Sequence, residues 1–462
     1  MKSFQKAGFR VFYRPGFLFL LLIISLLFLS GCAGRLNQAS HYYYAGQPQH
    51  ALELLEKGDN LGKRNQLLFL LEKGVVLHQL GEYQQSVNQF LKAAQLIDQF
   101  EVVSLSEQAG SLVTNEWMTR YQGEYSERLW VHSYLMMNYL LLGEYDDALV
   151  EAKQALERLQ RYPEALNGDY FTRALIALCF ANLGEDNDAY LVYRKLADDL
   201  PNPEPIAADI VKYAERLGMF DEVKKYRPSL LPELPQGESE LVLFVANGRI
   251  PLKRPGNVVL PPSIRFAFPY YSVEKASQPR INILPHRWSF LPLLSTDLGV
   301  VARKALDARK ARIIAKESLR VAAKEAISQS VGHKNDATAE AIVRVALFLL
   351  EEPDTRSWQT LPGRLTLVRI PLPAGRHKLQ VEFESTGFEN RHIIDLPEVQ
   401  LRQGQRVFHS VRLLDTNIGN LFFLLTTVST QEFLCREGCF RSTSFFVWGR
   451  YLICPHTKKP SC

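Results

Sequence analysis

Between residues 40 and 227 the chain alternates apolar and polar positions with helical periodicity, and glycines interrupt the pattern at intervals. Three of these glycines, Gly81, Gly143 and Gly184, are each followed by an acidic residue and then by small and aromatic residues on one helix face. Weaker copies of the pattern centre on Gly46 and Gly218. The pattern predicts pairs of antiparallel helices with a glycine in each tight turn.

The offsets around these glycines match the tetratricopeptide repeat, a helical hairpin of about 34 residues. Stacked hairpins form a solenoid whose first helices line a concave inner surface. Gly81 and Gly143 lie 62 residues apart, so we expect one extra helix or loop between residues 96 and 128. The sequence therefore predicts an all-α, tetratricopeptide-like repeat domain over residues 32–230.

The inner surface of this solenoid is predicted to be mainly apolar, and the Lys, Arg and Asn residues with which such domains grip a carboxylate are missing there. We expect a protein partner to bind through the best anchor candidates: His78, Trp130, Met137 and Phe171. Two alternatives stay open. The chain itself could cover this surface, or the surface could pack against the insertion.

After residue 227 the pattern changes to the period of two that is typical of strands. Five strands are predicted, over residues 240–246, 263–271, 364–370, 377–384 and 407–414. Residues 372–383 resemble the first strands of small immunoglobulin-like or surface-layer sandwich modules. A helical stretch over residues 296–352 separates the strand groups. We predict an α+β multidomain chain, in which residues 231–415 form a β-rich, sandwich-like domain with a long helical insertion.

The inserted helix is basic, with eight Lys or Arg residues against three acidic ones over residues 303–325. A basic amphipathic helix can lie on anionic lipid headgroups. A long helix packed on a sheet also exposes a charged face of this kind, and that is the arrangement we expect.

The N-terminus combines four basic residues with an apolar run over residues 17–29, and ends in Leu29-Ser30-Gly31-Cys32. The run of 13 residues is short of the roughly 20 that span a bilayer. The segment resembles a bacterial lipoprotein signal peptide over residues 1–31, which implies cleavage before Cys32 and lipidation of its thiol. In this family an Asp right after the cysteine usually retains the lipoprotein at the inner membrane. Ala33 and Gly34 follow Cys32 here, which favours the outer membrane of a Gram-negative host, with the protein facing the periplasm.

Composition and motifs indicate little chemistry. The net charge of +5 falls to +1 without the four basic residues of the signal, so nothing favours nucleic acid as a partner. The chain lacks a phosphate-binding Gly-rich loop, a His-Glu-x-x-His motif and a Gly-x-Ser-x-Gly motif. We therefore predict no enzyme activity, no catalytic residues, no cofactor and no metal.

Residues 416–462 differ from the rest because six phenylalanines, one tryptophan and four cysteines crowd them. Cys435, Cys439, Cys454 and Cys462 could form two disulfides or, with His456, a zinc site of poor spacing. The tail could also lack a fold of its own, and this is the interpretation we favour. Cys179 is expected to be a buried apolar residue on a repeat helix.

Three motifs carry a resemblance that covers residues 20 to 415. They are Tyr121-x-Gly123-Glu124-x-x-Glu127-Arg128, Asn138-Tyr139-Leu140 and Asp354-Thr355-Arg356-Ser357-Trp358-x-x-Leu361-Pro362. Together they resemble an uncharacterised family of bacterial tetratricopeptide-repeat lipoproteins, and the resemblance implies no activity. We expect Asp354 and Arg356 to form an ion pair stacked under the Trp358 indole, in a structural role.

These observations favour a non-catalytic, membrane-anchored periplasmic scaffold that binds a protein partner in cell-envelope assembly or maintenance. The alternative is a cell-wall- or polysaccharide-modifying enzyme with an unrecognised site in the α+β domain. A deep polar cleft in that domain would favour the enzyme, and a filled sandwich would favour the scaffold.

Overall fold

The structure is a computed structural model that describes residues 31–57, 64–107, 120–230, 239–260, 264–273, 280–285, 293–332, 352–384, 391–414 and 424–425. The predicted signal peptide except Gly31, the side chain of Cys32, residues 231–238 and the four cysteines of the tail lie outside the described residues. None of the described helices is both long and apolar enough to cross a membrane.

The described N-terminal region consists of five antiparallel helix pairs. They are α1 (Gly31–Tyr44) with α2 (Pro48–Glu56), α3 (Gln66–Gln79) with α4 (Tyr83–Glu107), α5 (Tyr125–Leu142) with α6 (Tyr145–Arg161), α7 (Tyr170–Asn182) with α8 (Asp186–Asp199), and α9 (Glu204–Arg216) with α10 (Phe220–Tyr226). The five turn glycines have φ between 72° and 80°, a region open to glycine at little cost. The tetratricopeptide-like array and its register are confirmed.

Part of the predicted insertion belongs to a longer second helix. The helix α4 has 25 residues, whereas its partner α3 has 14. Residues 120–124 then approach α5 as an irregular segment, and residues 108–119 lie outside the described part of the chain.

The C-terminal region forms strands β1 (Ser239–Asn247), β2 (Lys253–Leu260), β3 (Ile264–Tyr271), β4 (Arg280–Leu284), β5 (Leu293–Asp297), β6 (Arg364–Leu372), β7 (Gly375–His377), β8 (Gln380–Glu384), β9 (Arg391–Asp395), β10 (Val399–Leu401), β11 (Arg406–Leu413) and β12 (Leu424–Leu425), with helix α11 (Leu298–Gly332) between β5 and β6. The main sheet has the order β12-β11-β1-β6-β5, and β1 and β11 are its parallel neighbours. A second sheet has the order β4-β8-β9, and two strand pairs, β2-β3 and β7-β10, complete the described strands.

The main sheet lies between the helix array on one face and the second sheet on the other. Successive side chains of β1 alternate between these two faces, so the strand contributes to both cores. Leu241, Leu243 and Val245 belong to an apolar core shared with β4, β8 and β9, which fills the space between the sheets. Val242 and Phe244 belong to the core of the helix array. The predicted α+β fold, with a repeat array followed by a sandwich-like region, is confirmed.

The five predicted strands correspond to β1, β3, β6, β8 and β11. The helical prediction over residues 296–352 is correct from Leu298 to Gly332. Thr296 and Asp297 belong to β5 instead, residue 352 is not helical, and residues 333–351 lie outside the described chain.

Candidate functional site

The inner face of the helix array is covered by the chain's own main sheet. The side chains that β1, β6 and β11 direct towards the helices join one apolar core with the helices α3, α5 and α7. Phe244 of β1 stacks on Phe408 of β11, with ring centroids 5.9 Å apart, and meets Phe171 of α7 edge to face at 6.4 Å.

His78, which we predicted to bind a partner, is buried in this interface. Its Nδ1 lies 2.6 Å from Oδ1 of Asn138 in α5, and its Nε2 lies 2.9 Å from Oγ of Ser410 in β11. Burial lowers the pKa of His78 to about 4, although the hydrogen bond to Asn138 raises it. His78 therefore connects two repeats to the sheet as a neutral ring at neutral pH.

Trp130 and Phe171 are both linked to Thr296 of β5, Trp130 through the buried carboxylate of Asp169 and Phe171 directly. The Trp130 indole N–H donates to Oδ2 of Asp169 at 2.8 Å, and Oγ1 of Thr296 donates to Oδ1 of the same carboxylate at 3.2 Å. The backbone N–H of Phe171 donates to Oγ1 of Thr296 at 2.8 Å. Burial raises the pKa of Asp169, although its hydrogen bonds lower it.

Met137 is also an interior residue, 1% exposed, and it lines an internal cavity of about 20 Å³ together with Phe244 and Leu365. The four residues expected to bind a separate partner are thus core residues in this structure. The physical reason is that β1, β6 and β11 already occupy the apolar surface. Of the open alternatives, the structure shows the intramolecular cover.

A second element, which we call the clasp segment (residues 354–361), closes over the first repeats. The backbone N–H of Trp358 donates to Oε1 of Glu127 at 2.8 Å, and the N–H groups of Gln359 and Thr360 donate to the two carboxylate oxygens of Glu72 at 2.7 and 3.1 Å. Two carboxylates on inner helices thereby accept three consecutive backbone donors, which fixes the path of the segment.

The structure brings two of the motifs that carry the family resemblance into direct contact. The Tyr121 hydroxyl and the Trp358 N–H both donate to the Glu127 carboxylate. Asp354 and Arg356 form the expected ion pair at 2.6 Å. The expected stacking is wrong, because the Arg356 guanidinium lies over the Tyr121 ring at 5.4 Å, whereas the Trp358 indole packs on Phe90 and Tyr134.

Burial changes the acidity of the carboxyl groups around the clasp segment. It raises the pKa of Glu72 to about 7, although the N–H groups of Gln359 and Thr360 lower it. Burial also raises the pKa of Glu124, but the positive charges of Arg309 and Lys253 have the larger effect. Together they lower the pKa of Glu124 to about 2. Lys253 Nζ lies 2.7 Å from Oε1 of Glu124, so this ion pair joins β2 to the start of α5.

The last repeat is held to the sheet by a second charged cluster. Arg369 of β6 pairs with Asp209 of α9 and with Glu240 of β1, and Arg406 of β11 lies 3.0 Å from the same Glu240 carboxylate. Apolar packing and buried ion pairs therefore both hold the array in place over the sheet.

The apolar surface that remains open lies on the other side of α7. A groove of about 640 Å³ runs between α6, α7 and α8. Its lining, which we call the outer groove, consists of Leu156, Leu159, Gln160, Pro163, Glu164, Asn167, Arg173, Ile176, Phe180, Asp188, Leu191, Val192, Lys195, Leu196 and Asp199. Leu191, 53% exposed, is the most accessible large apolar side chain of its lining.

The periodicity of α7 explains why the helix has two apolar faces. Phe171 points to the sheet, whereas Arg173, Ile176 and Phe180, spaced by three and four residues, share the opposite face and line the outer groove. Pro163, Glu164 and Asn167 of the connection between α6 and α7 form one wall. This connection accounts for the 41-residue spacing between Gly143 and Gly184.

The rim of the outer groove is polar and mixed in charge. Arg173 and Asp199 form an ion pair at one side, and Lys195 and Asp188 lie on the exposed surface of α8. An apolar floor with a charged rim suits an apolar peptide segment with polar flanks. Sequence reasoning missed this surface, although the long spacing after Gly143 was the available signal.

Among the described residues we looked for a cluster of metal ligands and for a deep polar cleft between the two sheets. These residues contain no group of three or more His, Cys, Asp or Glu side chains placed to hold a metal ion. Between the main sheet and the second sheet, apolar side chains such as Leu243, Ile283 and Val381, all fully buried, fill the interior. Cys179 is buried, as expected, and burial raises the pKa of its thiol.

No family model matches the chain, and no curated protein matches it. Similar solved structures include a MamA RS-1 double mutant (15% identity, TM-score 0.32, covering 43% of this chain and 92% of that one). Others are MamA from Desulfovibrio magneticus RS-1 (16%, 0.30, 43% and 91%) and a Podospora anserina kinesin light chain with nearly identical TPR-like repeats (14%, 0.31, 43% and 93%). TM-scores this low support no inference, and the repeat assignment depends on the helix pairs and turn glycines of this chain.

Proposed function

We propose that the protein is a non-catalytic scaffold that binds an apolar segment of a protein partner in the outer groove. The observation that carries the proposal is that the two opposite faces of α7 have different surroundings. One face of this helix is sealed by the chain's own sheet, and the opposite face lines an open apolar groove with a charged rim.

The covered inner face supports this proposal because it makes the scaffold rigid. The main sheet, the clasp segment and the ion pairs of Glu240 each hold a different part of the helix array against the C-terminal region. A groove between rigid helices loses little conformational entropy on binding, so more of the contact energy is available for affinity.

We place this scaffold in the cell envelope on sequence grounds. The resemblance of the N-terminus to a lipoprotein signal supports a lipid anchor on Cys32 and an outer-membrane location that faces the periplasm, with a role in envelope assembly or maintenance. A Cys32→Ser variant tests the anchor, because it should stay unprocessed and lose acyl labelling. Normal processing of that variant would remove the basis for this location.

Site-specific photocrosslinking in intact cells tests the groove. A crosslinking amino acid replaces Lys195, at the rim of the outer groove, and the crosslinked products are compared in chains that also carry Leu191→Asp or Val150→Asp. Val150 is the matched control because it is 55% exposed on α6, close to the 53% of Leu191, and does not line the groove.

A discrete crosslinked product that disappears with Leu191→Asp and persists with Val150→Asp is the expected result. A charge in the apolar floor costs about 2 kcal/mol or more of binding, roughly thirtyfold in affinity. If both variants keep the product, or both lose it, the outer groove is not the binding surface.

A further inference from the structure

Helices form most of the outer groove. Its lining residues belong to α6, α7 and α8 and to the connection between α6 and α7, and none of them belongs to a strand. Because the backbone N–H and C=O groups inside a helix bond to each other, these three helices present side chains alone to the groove. In the connection, the carbonyl oxygen of Asn167 already accepts a hydrogen bond from Nζ of Lys304 at 3.1 Å.

The lining determines which backbone conformation a bound segment can adopt. An extended segment would place its N–H and C=O groups against Leu159, Ile176 and Leu196, whose side chains offer no hydrogen-bond partner. A buried backbone group without a partner costs free energy. An α-helix pairs these groups internally and presents only side chains to its surroundings. The groove therefore favours a helical segment over an extended one.

The groove also has the length and the surface pattern that a second helix needs. Six residues of α8, at the spacing of one helix face, line it: Asp188, Leu191, Val192, Lys195, Leu196 and Asp199. From the first to the last of them there are eleven residue steps, which is about 16 Å or three helical turns. Rows of side chains at this spacing are the ridges between which the side chains of another helix pack.

The charged residues of the lining indicate what flanks the apolar side of such a helix. Arg173 and Asp199 neutralise each other in an ion pair. Glu164, Asp188 and Lys195 make no ion pair within the described residues, so two acidic charges remain against one basic charge. Basic residues beside the apolar side of the partner helix would complement this rim.

We propose that the outer groove binds an amphipathic α-helix of a protein partner, which lies along α8 for about three turns. Apolar side chains of the helix at positions i, i+3 or i+4, and i+7 pack on Leu191 and the buried floor, and basic residues at its edge face Glu164 and Asp188. This inference rests on the proposed function, because it names the conformation and the charge of the partner at the same site.

Crosslinking from the two ends of the row on α8 measures the conformation of the bound segment. A photocrosslinking amino acid replaces Asp188 in one chain and Asp199 in another, in intact cells, and mass spectrometry locates the partner residue attached to each. The two positions are about 16 Å apart, which corresponds to about 11 residues of a helix and about five residues of an extended chain. Both products should disappear when the chain also carries Leu191→Asp and should persist with the control Val150→Asp.

Attachment to partner residues about 11 positions apart is the expected result. Proline in place of a polar partner residue midway between them should then weaken capture roughly a hundredfold, because proline breaks a helix. Alanine at the same position is the matched control and should leave capture nearly unchanged, since it favours the helix.

A separation of about five partner residues, or equal capture of the proline and alanine partners, would overturn the helix and leave the groove as the binding surface. Attachment to residues of this same chain would also overturn the proposal, because the occupant would then be a second copy. If neither position gives a product that depends on Leu191, the proposed function fails together with this inference.

Discussion

Replacement of Glu72 by Gln should change how the stability of the protein depends on pH. Glu72 is 2% exposed, and its carboxylate accepts the N–H groups of Gln359 and Thr360 in the clasp segment. Burial raises its pKa from 4.5 to about 7, although these hydrogen bonds lower it. The folded chain therefore holds a proton on Glu72 at pH values where the unfolded chain has lost it.

The sign and size of the effect follow from this difference in proton binding. Because the folded-state pKa is the higher one, the contribution of Glu72 is most favourable below about pH 4.5, falls as the pH rises to about 7, and is constant above that. A rise in pKa from 4.5 to about 7 corresponds to about 3 kcal/mol. Gln cannot ionise, so a Glu72→Gln variant lacks this decline.

Chemical denaturation at a series of pH values between about 4.5 and 8.5 measures the free energy of unfolding of both proteins. The difference between wild type and Glu72→Gln should shift by about 3 kcal/mol across the series, in favour of the variant at high pH. Other titrating groups largely cancel in this difference. Glu53→Gln, at an exposed position of α2, is the matched control and should show no such shift. A difference that stays constant with pH would refute the assignment of a buried, proton-binding Glu72 beneath the clasp segment.

Two further substitutions test the array itself. Gly143→Val should lower the melting temperature, because φ is 79° there and a β-branched residue in that conformation costs about 2 kcal/mol, although nothing would touch the added Cβ. Gly143→Asn should cost less. Equal stability of wild type and Gly143→Val would contradict the turn assignment. Trp130→Ala should destabilise the fold by about 3 to 5 kcal/mol, since the indole is fully buried and its N–H donates to Asp169. Trp130→Phe should recover much of that loss in thermal unfolding. A fully stable Trp130→Ala protein would show that the residue is not part of the core.

The repeat array could be predicted because its signals are local. A glycine in a tight turn, and small residues where two helices of a hairpin touch, are requirements within about 34 residues of sequence. The same holds for β1 and β6, whose alternation is clear. By contrast, β2 contains Pro255 and Gly256, and β4 and β5 have only five residues each, so their pairing is determined by partners far along the chain.

The identity of the surface that covers the inner face could not be predicted for the same reason. The apolar pattern of Trp130, Met137 and Phe171 shows that something must bury them, but it does not distinguish a partner from a sheet that begins more than 60 residues later. The ion pair of Asp354 and Arg356 was predictable from their spacing, whereas the Tyr121 ring under Arg356 comes from a distant segment.

Cysteine accessibility tests the central claim most directly, namely that the chain covers its own inner face and leaves the outer groove open. Met137→Cys and Leu191→Cys variants are treated with a maleimide in the folded state, and the modified site is located by peptide mass spectrometry. Met137 is 1% exposed and Leu191 is 53% exposed. We predict rapid labelling at position 191 and labelling at position 137 only after denaturation. Equally rapid labelling of position 137 in the folded protein would contradict the account, because the inner face would then be open to partners.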